Sequence, residues 1–127
     1  MVLLSACRAD DARRPYDAAN RAWTLKLLNG ASFPARATLT FPKRNEIAGE
    51  GPCNRYFGIM SATYPAFNAG LIGSTCMACP EIMAETIFLA ALEATTLAKV
   101  EKLAKVEKDT MILSNSDGLE MTFNATD

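Results

Sequence analysis

"STCMACPEIMAETIFLAAL", residues 74–92, sets two cysteines three positions apart, follows them with a proline, and then runs on without a glycine. Its reading decides the fold, because it breaks the rhythm of everything around it. From Pro80 to Ala94 alanine, methionine, leucine and glutamate dominate, residues that lose little on entering a helix. Proline at the entry suits a first helical turn, where its missing N–H has no partner to lose. Met83, Ala84, Ile87, Phe88 and Ala91 share one face at helical spacing, so Met83 and Phe88 are expected in the core. Ile82 and Leu89 lie off that face, which predicts a helix covered on more than one side. Cys76 and Cys79, just ahead of it, can hold a metal, exchange electrons with a partner thiol, or anchor a disulfide.

Outward from the helix the period is two. "WTLKL" puts Trp23, Leu25 and Leu27 on one side and Thr24 and Lys26 on the other. "ATLTF" sets Ala37, Leu39 and Phe41 against Thr38 and Thr40, and "LEMTF" sets Leu119, Met121 and Phe123 against Glu120 and Thr122. One wet and one buried face per strand is the pattern of antiparallel sheet. "SNSDG", Ser114 to Gly118, supplies the turn between "TMIL" and "LEMTF". Glu46 to Gly73 is a series of short apolar stretches broken by Gly, Pro and Asn. "LAKVEKLAKVEK", Leu97 to Lys108, is a tandem copy of six residues. An even repeat keeps its faces in a strand, with Ala98 and Val100 matching Ala104 and Val106, whereas a helix would smear them. The segment is therefore expected as strand.

Composition narrows the function. A chain of 127 residues, 50% hydrophobic and 21% charged, with mean hydropathy +0.05, makes one globular domain. A net charge of -1 argues against general affinity for nucleic acid. Lys99, Lys102, Lys105 and Lys108 cluster, but Glu101 and Glu107 alternate with them, so this is a solvated face. The absence of histidine removes Ser-His and Cys-His nucleophile pairs and every imidazole metal site. No glycine-rich loop leads into Lys-Ser/Thr, so no phosphate cradle is expected.

At the start, "LSAC", Leu4 to Cys7, resembles the bacterial lipobox, in which a signal is cut before a cysteine that then carries lipid. Residues 1–6 are thus expected to be a signal-peptide remnant. Residues 7–21, charged, alanine-rich and without a hydrophobic period, are expected to be a lipidated, flexible tether, and residues 22–127 the folded domain. Arg8 after Cys7 does not resemble an inner-membrane retention signal, which points to an outer-membrane anchor.

With these elements placed, Trp23 to Phe123 resembles the META domain, the family of the bacterial heat-shock protein HslJ. The likeness begins at "WTLKLLNG", Trp23 to Gly30, and continues through "LTF" to "EIAGEGPCNRYFG", Glu46 to Gly58, with its signature on Cys53, Asn54, Arg55 and Gly58. "STCMACP" then matches the family's Thr-x-Met-x-Cys segment on Thr75, Met77 and Cys79. The resemblance implies an α+β fold: a curved, incompletely closed antiparallel sheet, barrel-like, packed around one helix. It also implies bacterial envelope proteins, often lipoproteins, tied to stress responses and without an established enzymatic activity. Cys76, and the second "LAKVEK" copy, depart from the family pattern.

The same resemblance implies a Cys53–Cys79 disulfide, in keeping with an oxidising compartment. Closing such a loop stabilises by ~3 kcal/mol in the chain-entropy model. Cys76 is then unpaired, and a Cys53–Cys76 bond is the alternative. Thiol-disulfide exchange at Cys76 and Cys79 would rest on the cysteine the family does not support, and zinc would need Cys7 from across the tether. Asn54 is expected to shape the turn after Cys53, and Arg55 to bond nearby carbonyls or a carboxylate. Gly49, Gly51 and Gly58 are expected at bulges or turns. The expected function is a non-catalytic envelope lipoprotein, without cofactor or metal, acting through contacts with envelope components. The alternatives are a small-molecule or lipid module using a cleft in an incomplete barrel, and thiol-disulfide exchange.

Overall fold

The structure is a computed structural model and describes residues 21–101 and 109–125. The expected leader and lipidation site at Cys7, the tether up to residue 20, and the second hexapeptide copy fall outside the described residues. Nine strands and one helix are present among those described: β1 Ala22–Leu28, β2 Ala31–Ser32, β3 Thr38–Lys43, β4 Glu46–Glu50, β5 Arg55–Ile59, β6 Gly73–Ser74, α1 Ile82–Ala94, β7 Leu97–Glu101, β8 Thr110–Ser114 and β9 Glu120–Ala125. They form one antiparallel sheet in the order β6-β5-β4-β3-β1-β9-β8-β7, with β2 paired to the end of β1. The fold is the α+β arrangement expected, with an unclosed sheet.

The turns follow from local chemistry. Asn29 and Gly30 both take positive φ, 52° and 83°, and fold β1 back onto β2 in a two-residue hairpin. Between β8 and β9 the Asn115 side chain accepts N–H bonds from Asp117 (2.9 Å) and Leu119 (3.1 Å), and Gly118 supplies φ 97°. The edges β6 and β7 are not paired with each other. Instead the β5–β6 loop crosses the gap: Phe67 donates its N–H to the Thr96 carbonyl (2.8 Å) and Ala98 donates to Pro65 (2.8 Å). That contact occupies part of an edge that would otherwise invite pairing.

The inward residues of the strands make the core. Trp23, Leu39, Phe41, Ile47, Met111, Leu113, Met121 and Phe123, with Ala37 just ahead of β3, are all at most 1% exposed. Arg21, last residue of the expected tether, ion-pairs with Asp109 (2.6 Å) and lies over the Trp23 ring, 5.2 Å from its centroid. The helix fills the concave side of the sheet through Phe88. Its ring meets Tyr56 edge-on at 5.4 Å, Phe33 at 6.1 Å and Phe123 at 6.5 Å.

Three expectations need correction. The buried face of α1 is Glu85, Phe88, Ala91 and Leu92, while Met83 and Ile87 are 70% and 51% exposed. Apolar residues surround this helix, so its pattern could not choose a face, and tertiary partners chose it. In β1 the register against β9 shifts between Leu25 and Leu27, so Leu27 turns outward and Leu28 packs against the core. Thr38, expected on the wet face, is buried, and its Oγ1 accepts the Glu50 N–H (2.9 Å). Leu97–Glu101 of the first hexapeptide copy form strand β7, as their alternation predicts, with Ala98 buried and Lys99 exposed beside Glu101 (3.4 Å).

Candidate functional site

The signature residues converge where the β4–β5 turn meets the foot of α1. Cys53 and Cys79 are joined by a disulfide with Cα atoms 5.7 Å apart, and Cys76 is a free, exposed thiol. The bond ties the turn to the chain just ahead of the helix, leaving the Cys53–Cys76 alternative unused. Pro80 stands one place before the helix cap at Glu81.

Beneath the disulfide lies a polar knot that the sequence did not reveal. The backbone N–H groups of Cys53 and Asn54 both donate to Glu85 Oε1, at 2.9 and 2.7 Å. Asn54 Nδ2 donates to Glu85 Oε2 (2.7 Å) and to the Met77 carbonyl (2.9 Å). Asn54 Oδ1 accepts from the Thr75 hydroxyl (2.9 Å) and the Met77 N–H (2.6 Å). Every donor and acceptor position of the Asn54 side chain is thus used, and both oxygens of Glu85 are engaged. A buried carboxylate held this way meets the requirement that buried charge be hydrogen-bonded.

Electrostatics follow from this geometry. Burial raises the Glu85 carboxyl, but the Asn54 side chain and the two backbone N–H groups outweigh it, so its pKa lies below the ordinary glutamate value. Tyr56 behaves oppositely. Its buried phenol is pushed well above the usual value, and it donates its proton to the Thr38 carbonyl.

Each expected site residue now has a place. Asn54 does shape the turn, and it also clasps a segment more than twenty residues downstream. Thr75 and Met77 take part through a hydroxyl and through backbone groups, and the Met77 side chain is 69% exposed. Arg55 departs from expectation: its side chain is exposed and makes no hydrogen bond or ion pair with any described residue, while its carbonyl accepts the Thr75 N–H (3.1 Å). Gly51 lies in the β4–β5 turn, as expected, where its N–H donates to the Asn54 carbonyl (2.8 Å), whereas Gly49 and Gly58 are close-approach positions and not bulges. Gly49 and Gly58 sit inside regularly paired β4 and β5, and Gly51 faces Glu85, where a Cβ would come 2.7 Å from Oε1. Glu85 itself was missed. The available signal was its place three residues before Phe88 and seven before Leu92, on the stripe that enters the core.

A family profile described as the META domain matches residues 17–127. The chain belongs to the META domain family. Two solved structures carry this domain's architecture. An NMR structure of a protein from Burkholderia xenovorans is 25% identical, with a TM-score of 0.68 over 92% of this chain and 88% of that one. A second NMR structure, 18% identical with a TM-score of 0.61 over 87% of this chain and 93% of its own, shares the fold. No curated protein matches the sequence. The disulfide and the Asn54–Glu85 knot therefore stand at the centre of this META domain's signature region.

Proposed function

We propose that this META domain is a non-catalytic component of the bacterial cell envelope, anchored by lipid at Cys7, which supports stress tolerance through contacts with other envelope components. The observation that carries the reading is that the signature side chains Asn54, Thr75 and Cys79, with Glu85, are all spent on holding backbone together. A catalytic constellation keeps at least one reactive group turned toward substrate, and this knot offers none. The disulfide is of the kind that persists outside the cytoplasm. Beside it Met77, Ile82, Met83 and Ile87 leave an apolar surface open around the foot of α1, suited to contact with another molecule.

Two measurements test this. Mass spectrometry of protein taken from its native membrane should find residues 1–6 removed and lipid on Cys7; an unmodified Cys7 overturns the anchor. Photo-crosslinking from position 83 in intact envelopes should capture a defined partner that crosslinking from exposed Lys99 does not. Identical patterns from the two positions would sink the contact reading. Thiol-disulfide exchange, resting on exposed Cys76, predicts insulin reduction; none is expected. A cleft beneath the helix receives no support, because Phe88, Tyr56 and Phe123 fill the space there.

A further inference from the structure

We propose that Met77 and Met83 are a site of reversible oxidation, at which hypochlorous acid turns the open apolar surface at the foot of α1 polar while the domain stays folded. The site stands without the envelope reading; only its consequence for a partner rests on the contact surface argued above.

The methionines divide sharply. Met60, Met111 and Met121 are at most 1% exposed, walled in by the core, whereas Met77 and Met83 are 69% and 70% exposed. Thioether oxidation follows access to the oxidant, so the exposed pair reacts first. Both belong to one surface. Met77 and Ile82 line the same shallow recess, and Met83, next in the chain, stands one helical turn from exposed Ile87.

The fold tolerates the reaction. Met77 serves the signature knot with its backbone alone: its N–H donates to Asn54 Oδ1 (2.6 Å) and its carbonyl accepts from Asn54 Nδ2 (2.9 Å). Met83 lies in the first turn of α1, off the buried stripe of Glu85, Phe88, Ala91 and Leu92. An oxygen on either sulfur therefore displaces nothing that holds the helix to the sheet.

The chemistry balances with hypochlorous acid as the oxidant. The thioether sulfur loses two electrons and gains an oxygen to become the sulfoxide. Chlorine is reduced to chloride, and one proton is released. A flexible apolar side chain becomes a polar one, and sulfoxide reductases reverse the change. Two such changes among a few exposed apolar groups remove much of what makes the surface adhesive. Leucine at either place would give the same apolar contact and no response to oxidant.

Treating the full chain with dilute hypochlorous acid tests the proposal, in a Cys76→Ser background that removes the exposed competing thiol. Peptide mass spectrometry should find Met77 and Met83 oxidised at least about tenfold faster than Met60, Met111 and Met121. The oxidised protein should keep the unfolding midpoint of the untreated one. It should also elute earlier from a phenyl column, together with unoxidised Met77→Gln/Met83→Gln. Sulfoxide reductases acting on both epimers should restore its retention to that of unoxidised protein carried through the same reductant. In Met77→Leu/Met83→Leu the oxidant should leave retention unchanged. Buried methionines reacting at a comparable rate, a midpoint that falls once Met77 and Met83 are oxidised, or retention indifferent to the oxidant would overturn it. Failure to capture a partner from position 83 would count against the contact reading alone.

Discussion

Glu85 is the residue on which the signature region turns. Its Oε1 takes two backbone N–H groups and its Oε2 takes the Asn54 amide, so a carboxylate, with acceptors only, is the right group. Glu85→Gln keeps one oxygen for the backbone but turns an amide nitrogen toward Asn54 Nδ2, donor facing donor. We expect a loss of about 1–3 kcal/mol in denaturant unfolding, read from a lower midpoint at constant slope. The pH dependence has a definite sign. The folded-state pKa of Glu85 is depressed, so its stabilisation is fully present above the unfolded value of about 4.3 and is lost as pH falls through the lower folded value. Acid titration of stability should therefore be shallower in Glu85→Gln than in the parent, and parallel curves would refute this assignment. The sequence showed Asn54 and hid Glu85. A carboxylate amid apolar helix residues reads as the wet side until its partners, 31 and 32 positions upstream, are known.

The strands of this META domain were legible because each alternation was short, regular and confirmed by turn residues at its ends. "ATLTF" and "LEMTF" send Leu39, Phe41, Met121 and Phe123 inward as their spacing demands. "WTLKL" fails at its last position, since the shift after Leu25 belongs to the pairing with β9 and leaves no trace in β1 alone. In α1 the apolar positions nearly encircle the axis, so the spacing expects Met83 beside Phe88 in the core, where Leu92 in fact lies. Between β4 and β5 the glycines set how closely elements approach. A Cβ on Gly49 would run into the Thr38 backbone carbonyl and, at 2.7 Å, the Tyr56 hydroxyl, neither of which can retreat. On Gly58 it would meet the flexible end of Ile72 at 2.9 Å and the Ala69 carbonyl at 3.2 Å. Gly49→Ala should thus cost more than Gly58→Ala, by about 1 kcal/mol or more within the usual range for overpacking. Thermal unfolding of the two variants side by side checks the order.

Across the whole molecule the sheet is an open band whose ends are held by other means. The β5–β6 loop joins the far edge at β7, and the disulfide binds the β4–β5 turn to the helix that fills the interior. Removing the bridge with Cys53→Ser and Cys79→Ser together should lower stability by roughly 3 kcal/mol, since it frees a loop with a sequence separation of 26. Cys76→Ser, at an exposed free thiol, should leave the unfolding midpoint within about 0.5 kcal/mol of the parent. A large loss from Cys76→Ser alone would mean that this thiol has a structural partner.

The clasp formed by Asn54 on Thr75 and Met77 has a consequence for how the bridge arises. The hydrogen bonds that hold Thr75 and Met77 against the turn go with an arrangement in which Cys79 lies beside Cys53 and Cys76 is exposed. Fidelity of pairing among the three cysteines of the described residues should therefore depend on that hydrogen bonding.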